Sequence, residues 1–338
     1  MIIEKIYFNA TDKVQLFGLL HRSEISIVCE KKLHENIEEK DSYFDEIKEE
    51  NKVDASENII LNHKERKNKK VILSVHGMTS NCLKKREEIF AEEYTKHGID
   101  YFCFNNRGAD IITYFERVEE NKLLTRIEGG TAYEKFEECY YDIKGAILML
   151  LEKGYDEIYL QGHSYGAAKS VFTYNKLKQN MEIDILNHIK AVILLSIVDI
   201  PRMCRTMLGK KYNEVILEIK QMVNKNRGED LIKREYFLHP MSANNFLFLN
   251  KLDGTLDLVP FGAENPNLSA LNNIECPLLM MWGKERDLIM QKPEQLEEII
   301  RQNVSNVKLG VKFIEGTGHN YRYKEKETVF EVLKWAEV

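Results

Sequence analysis

Gly162-His163-Ser164-Tyr165-Gly166 sets a serine midway between two glycines, and the residues around it could make that serine reactive. The apolar run Ile158-Tyr159-Leu160 leads in as a strand, and Ala167-Ala168 opens a helix beyond. A serine raised on such a strand–turn–helix corner takes up strained backbone angles, so the residues two places away must be small. The start of the helix also aims N–H groups at the corner and favours negative charge developing there. The pentapeptide alone is a loose pattern, and an ordinary glycine-rich turn is the plain alternative. The strand and helix on either side mark Ser164 as the candidate nucleophile.

A serine hydroxyl needs a base to take its proton, and the base needs orienting. Gly316-Thr317-Gly318-His319-Asn320 offers an imidazole in a glycine-bounded loop between a strand and the last helix. Packing explains a histidine there poorly, so His319 is the candidate base rather than a merely solvated side chain. The acid should follow the strand 278–282, where Trp282-Gly283-Lys284-Glu285-Arg286-Asp287 stands. Asp287 leads, Glu285 competes with it, and Asp199, after strand 191–196, is a third candidate. An oxyanion would need two backbone donors. One is the N–H of Tyr165; the other is assigned to Met78 in His76-Gly77-Met78-Thr79-Ser80, because Gly77 allows a sharp turn. His76 reads as a brace for that loop, and Cys82 as a small packing residue rather than a redox centre.

These residues must be carried by elements that bring them together. Two strands, Ile2–Phe8 and Val14–His21, open the chain. From Val71 onward strands and helices alternate: strand Val71–Val75, helix Leu83–His97, strand Asp100–Phe104, helix Tyr133–Lys153, strand Glu157–Gln161, helix Tyr165–Leu177 and strand Ala191–Ser196. After an interruption the pattern resumes with strand Leu278–Trp282, helix Pro293–Asn303, strand Val307–Ile314 and helix Lys324–Ala336. Continuous apolar strands alternating with amphipathic helices mean a mainly parallel sheet covered on both faces.

Two stretches stand outside the alternation. Residues 29–70 are dominated by Glu, Lys, Asn and Asp, and bury too little apolar surface to offset chain entropy. They read as a charged surface insertion, with Ile59-Ile60-Leu61 a short strand rejoining the sheet and a partner-binding arm as the alternative. Residues 201–273 read as a helical cap inserted between two strands, with helices over Tyr212–Asn226 and from near Ser242. The domain reading is therefore a core of residues 1–200 and 274–338, and a cap of 201–273. Phe246, Phe248 and Met203, with Phe261, point to a cap that binds an apolar acyl or aromatic moiety, unless they form the cap's own core.

Composition narrows the class. The chain has 338 residues, 43% of them hydrophobic, which is enough for a sizeable core. A net charge of −6 gives no basic footprint for nucleic acid. The N-terminus lacks the charged start and apolar core of a secretory signal, and no apolar run approaches the roughly 20 residues of a membrane helix. The 6 cysteines lack CxxC pairing, which suits reduced thiols in the cytoplasm. Neither a phosphate-binding glycine motif nor metal-ligand spacing is present, so no cofactor or metal is expected. Oligomeric state is not legible.

His76-Gly77, Asn106-Arg107-Gly108, Gly162-His163-Ser164-Tyr165-Gly166, Asp287 and Gly318-His319, in that order, resemble the α/β-hydrolase superfamily over residues 1–28 and 71–338. The resemblance implies an eight-stranded sheet, acyl transfer in two steps through an acyl-enzyme, and a structural Arg107 bracing the loop beside the site. Three features depart from the family pattern: the segment 29–70, a Gly283–Asp287 gap one residue longer than usual, and Asn105-Asn106 where an Asp commonly precedes Arg-Gly. Hydrolysis of a small-molecule ester, thioester, amide or lactone is the leading expectation. An acyltransferase would use the same triad with an alcohol, amine or thiol replacing water. A non-catalytic receptor on the same fold is the third reading; decay of a triad member, its usual signature, is not evident.

Overall fold

The computed structural model describes residues 1–24, 69–119 and 124–337. Residues 29–68 of the charged stretch, with Ile59–Leu61 and Cys29, lie outside the described residues, and Lys70 already belongs to a strand.

Eight strands form one sheet: β1 (Ile2–Asn9), β2 (Gln15–Arg22), β3 (Lys70–Val75), β4 (Asp100–Asn105), and, after a small hairpin β5 (Thr113–Val118) and β6 (Leu124–Gly129), β7 (Glu157–His163), β8 (Ile189–Leu195), β9 (Leu278–Gly283) and β10 (Leu309–Ile314). Their order is β1-β2-β4-β3-β7-β8-β9-β10. β1 and β2 run antiparallel, as do β2 and β4; every other pair is parallel. This is the expected mainly parallel, eight-stranded sheet.

The apolar runs follow from burial on both faces. In β8, Val192 and Leu194 join the core on one side while Ile193 and Leu195 join the core on the other. β9 divides the same way, Leu278, Met280 and Trp282 against Leu279 and Met281. A period of two with both faces apolar leaves no polar alternation to see in the sequence. Helix α1 (Lys85–Lys96) and the last helix, α10 (Glu325–Ala336), cover the second face through Phe90, Tyr94, Val329 and Val332. Helices α2 (Cys139–Glu152) and α3 (Tyr165–Gln179), and the later α9 (Pro293–Asn303), cover the first through Ile143, Ile147, Val171, Leu296 and Ile300.

The other α-helices among the described residues are α4 (Ile183–His188), α5 (Ile200–Leu208), α6 (Tyr212–Asn224), α7 (Ala243–Leu249) and α8 (Ser269–Asn272). Between β8 and β9, Met203, Val215, Ile219, Phe237, Phe246 and Leu249 pack into a third cluster that reaches down to Phe136 and Tyr165. Among the described residues no helix is long and apolar enough to cross a membrane.

The structure departs from expectation at several boundaries and in one added element. The helix expected from Tyr133 starts at Cys139, because Phe136–Glu138 forms a tighter single turn that places Asp142 beside Arg107. β10 begins at Leu309 rather than Val307, since Val307 is exposed beyond the parallel register with β9. The hairpin β5–β6 was not anticipated; it is tied to the sheet's first turn by the Val14–Arg117 bridge and the Arg117–Asp12 ion pair at 3.0 Å.

Candidate active site

Strand order reverses around β3, with β4 on one side and β7 on the other. In open parallel sheets such a reversal opens a crevice beyond the strands' C-terminal ends. Every candidate reactive group lies on the loop that leaves one of those ends.

Ser164 leaves β7 with φ 55° and ψ −121°, the strained corner expected of it. Such geometry costs of the order of 1–3 kcal/mol and holds only when its surroundings fix it. Here its N–H donates to Leu195 O at 2.8 Å, and its carbonyl accepts from Ala167 N at 3.0 Å. A Cβ on Gly166 would collide with the Val75 carbonyl, and one on Gly162 with the Gly166 carbonyl. Both glycines are therefore demanded by close approach.

His319 follows β10 in a loop that turns at Gly316, φ 73°. Its Nε2 lies 2.9 Å from Ser164 Oγ, and its Nδ1 lies 2.6 Å from Asp287 Oδ1. With Nδ1–H donated to the carboxylate, the Nε2 lone pair faces the serine hydroxyl. His163, just before the serine, donates Nε2–H to the His319 carbonyl at 2.7 Å. Burial, then the positive field of Arg86, holds His163 well below the ordinary imidazole value, so it stays a neutral strut.

The Asp287 side chain is fully buried and both its oxygens are engaged. Oδ1 also accepts Leu288 N at 2.7 Å; Oδ2 accepts Gly283 N at 2.9 Å and the Ser196 hydroxyl at 2.6 Å. The longer loop from Gly283 is absorbed by Arg286, which adopts φ 58°. Glu285 points elsewhere: its carboxylate accepts Gly316 N at 3.0 Å, and its own N–H meets Thr317 O. Asp199 caps α5, accepting Arg202 N, and also accepts Gly262 N at 2.9 Å. Of the three carboxylates weighed, the structure brings Asp287 to the imidazole.

The N–H groups of Tyr165 and Met78 meet no acceptor among the described residues. Gly77 packs so closely on the elbow that a Cβ there would stand 3.0 Å from Ser164 Cβ. Thr79, φ 55°, anchors the loop by donating its N–H to Thr131 Oγ1 at 2.7 Å. His76 is buried, donates Nδ1–H to Gly77 O at 2.9 Å, and is pushed down to about 4 by burial and then by Lys169. Cys82 is buried, with its N–H held by Asn105 Oδ1 at 2.8 Å. Asn106 Oδ1 accepts from buried Lys169, whose Nζ also meets Glu134 at 2.5 Å. Arg107 binds Asp142, Asp12 and Glu138, tying α2 to the start of the chain.

A cavity of about 160 Å³ opens above Ser164, lined by the Gly77–Ser80 loop, Arg86, His163, His319 and, from the segment after β8, Val198, Ile200, Met203 and Phe237–His239. Met203 thus lines the cavity. Phe246 and Phe248 are not among the lining residues. Phe246 is completely buried among Phe237 and the α7 core, and Phe248 packs on Phe136 with ring centroids 5.9 Å apart. Phe261 packs edge-on against Trp282. Sequence reasoning missed Ser196, Phe237 and Arg86. Ser196 ends an apolar strand, and only its hydroxyl distinguished it. Phe237 and Arg86 carry no local pattern that separates a cavity wall from a core or surface position.

The family model described as "Protein of unknown function (DUF1749)" matches residues 140–335, a stretch that holds Ser164, Asp287 and His319. No curated protein matches the chain. Among solved structures, Est1E from Butyrivibrio proteoclasticus with ferulic acid bound is 14% identical, with a TM-score of 0.57 over 97% of this chain and 98% of that one. A soluble variant of monoglyceride lipase from Saccharomyces cerevisiae, in complex with a substrate analog, is 13% identical, with a TM-score of 0.58 over 100% and 96%. An esterase from Pyrococcus furiosus is 15% identical, with a TM-score of 0.53 over 100% and 91%. These likenesses are of the overall fold. The chain belongs to the DUF1749 family, and its fold is that of the α/β-hydrolase superfamily.

Proposed function

We propose that this protein is a serine hydrolase that cleaves an acyl ester of a small molecule through an acyl-enzyme on Ser164. The observation that carries the reading is the unbroken line of hydrogen bonds Ser164–His319–Asp287 at the floor of a cavity. Similarity to proteins named as esterases and a lipase favours an ester over a thioester or amide.

In this mechanism Ser164 Oγ attacks the acyl carbon while its proton passes to His319 Nε2. Asp287 fixes the tautomer and supports the imidazolium charge. The carbonyl oxygen becomes an oxyanion, held by the N–H groups of Tyr165 and Met78. Collapse of that intermediate breaks the ester bond, and the imidazolium gives its proton to the departing alkoxide. Water then attacks the acyl-enzyme carbonyl, its proton taken by the same imidazole, and the carboxylic acid leaves with Ser164 restored. Residues 201–273 act as the cap over this cavity, on a core of residues 1–200 and 274–338.

The test is a panel of 4-nitrophenyl esters, thioesters and anilides run with wild type, Ser164→Ala and His319→Ala. The reading expects ester turnover that falls at least about a thousandfold in each variant, as removal of a triad member does elsewhere. Turnover by Ser164→Ala at the wild-type rate would refute it. Product analysis with added alcohol or amine separates hydrolysis from acyl transfer.

A further inference from the structure

The wall of the cavity carries one charge that does not depend on a histidine. Arg86, in the first turn of α1, lines it beside His163, Ser164, His319 and Asn320, and no aspartate or glutamate lines it. Its side chain is only 10% exposed. Two features show that this guanidinium is held in place rather than trailing into solvent. Nε and Nη2 both donate to one oxygen of buried Glu87, at 3.2 Å and 2.9 Å. The other Glu87 oxygen is occupied by the hydroxyls of Ser74 at 2.9 Å and Tyr101 at 2.6 Å, which fixes the carboxylate in turn. The remaining nitrogen, Nη1, meets no acceptor among the described residues.

The position is costly in other respects. A cation in the first turn of a helix opposes the helix dipole, which favours anions there. Two of the surrounding histidines do not share the charge: burial holds His163 and His239 below the ordinary imidazole value. The field of Arg86 reaches the reactive end of the cavity, where it depresses His163. A chain with net charge −6 therefore keeps a guanidinium at the wall of a pocket that no carboxylate lines among the described residues. A planar guanidinium with a free edge matches a carboxylate better than any neutral group.

We infer that Arg86 is a specificity-determining residue, and that the preferred substrate is an ester bearing an anionic group, a carboxylate above all, that reaches its free edge. This rests on the hydrolase reading. The carboxylate can belong to the acyl half or to the alcohol half, and two matched pairs separate these sources. For the acyl half the pair is 4-nitrophenyl hydrogen glutarate and its methyl ester; for the alcohol half, 4-acetoxybenzoate and its methyl ester. Rates are divided by those of alkaline hydrolysis to remove intrinsic reactivity.

In wild type, kcat/KM for the anionic member of at least one pair should exceed that of its neutral partner by about tenfold or more, the scale of one charge-assisted contact. Arg86→Gln should bring that ratio to near or below one, and Arg86→Lys should retain part of it. Because Arg86→Gln leaves Glu87 buried without its cation, the double variant Arg86→Gln with Glu87→Gln is measured as well and should show the same loss. A wild-type ratio of one or less in both pairs, including turnover of neither member, overturns the inference. So does a ratio that survives in both glutamine variants. Labelling of Ser164 by a fluorophosphonate is followed in parallel. Labelling without anionic preference removes this inference alone, whereas no labelling removes the hydrolase reading beneath it.

Discussion

The Ser196 hydroxyl lies 2.6 Å from Asp287 Oδ2, on the side of that carboxylate away from His319. It also lies 3.0 Å from the buried hydroxyl of Tyr321, which donates to Met281 O. β8, β9 and the histidine loop thus meet at one carboxylate. Ser196→Ala should lower kcat by roughly tenfold with little change in KM, because one hydrogen bond to a charged group is worth about 1.5–3 kcal/mol and part of it is recovered from water. Steady-state kinetics on any turned-over ester decides this. An unchanged kcat would show that Asp287 needs no support from β8.

Asp287→Asn and Glu285→Gln separate the two carboxylates on one loop. Asp287→Asn should cost about four orders of magnitude in kcat, since an amide presents the wrong hydrogen-bonding partner to His319 Nδ1. Glu285→Gln should stay within a few-fold, because that side chain meets Gly316 N on the exposed side of the loop. Comparable losses in both would place the acid elsewhere.

The site was legible where chemistry demands particular residue types at fixed offsets. Gly162, Ser164, Gly166 and His319 could be read one by one, since each answers a steric or proton-transfer requirement. The strands themselves were legible because strands buried on both faces leave uninterrupted apolar runs. Ser196 was not, since a serine ending such a strand has no local signature of its partner 91 residues away. The phenylalanines of α7 misled for a related reason. Periodicity shows that a side chain is buried, yet it does not tell a core from a cavity wall. Phe246 went to the core, and Phe237, in an irregular stretch with no period, went to the wall. The hairpin β5–β6 escaped because its mostly exposed strands carry no apolar run.

Met203 and Phe246 should respond differently to truncation. Met203→Ala enlarges the cavity and should shift preference toward longer acyl chains, read as the ratio of kcat/KM for octanoate and butyrate esters. Phe246→Ala should cost about 3–5 kcal/mol of stability in urea unfolding, as loss of a buried aromatic does. Equal effects of both on chain-length preference would contradict the assignment of cap core and cavity wall.

His76 ties stability to pH. In the unfolded chain its imidazole takes a proton near its ordinary value of 6.5, while in the fold burial pushes it down to about 4. Between those values the unfolded state binds more protons, so stability is complete above pH 6.5 and is lost as pH falls toward 4. One group contributes about 1.4 kcal/mol per pH unit within the window. His163, His21 and His239, also held below the ordinary value, act in the same direction. Urea midpoints measured from pH 7.5 to 5 should fall in wild type and fall less steeply in His76→Gln. Parallel lines would show that His76 is not held neutral.

The most direct measurement is the mass of the intact protein after mixing with a 4-nitrophenyl ester and quenching in acid within the first turnovers. The predicted result is a single added acyl group that maps to Ser164, decays in water, and is absent from Ser164→Ala. Ester cleavage with no adduct on the wild-type protein at any mixing time, or an adduct that persists in Ser164→Ala, would contradict the account.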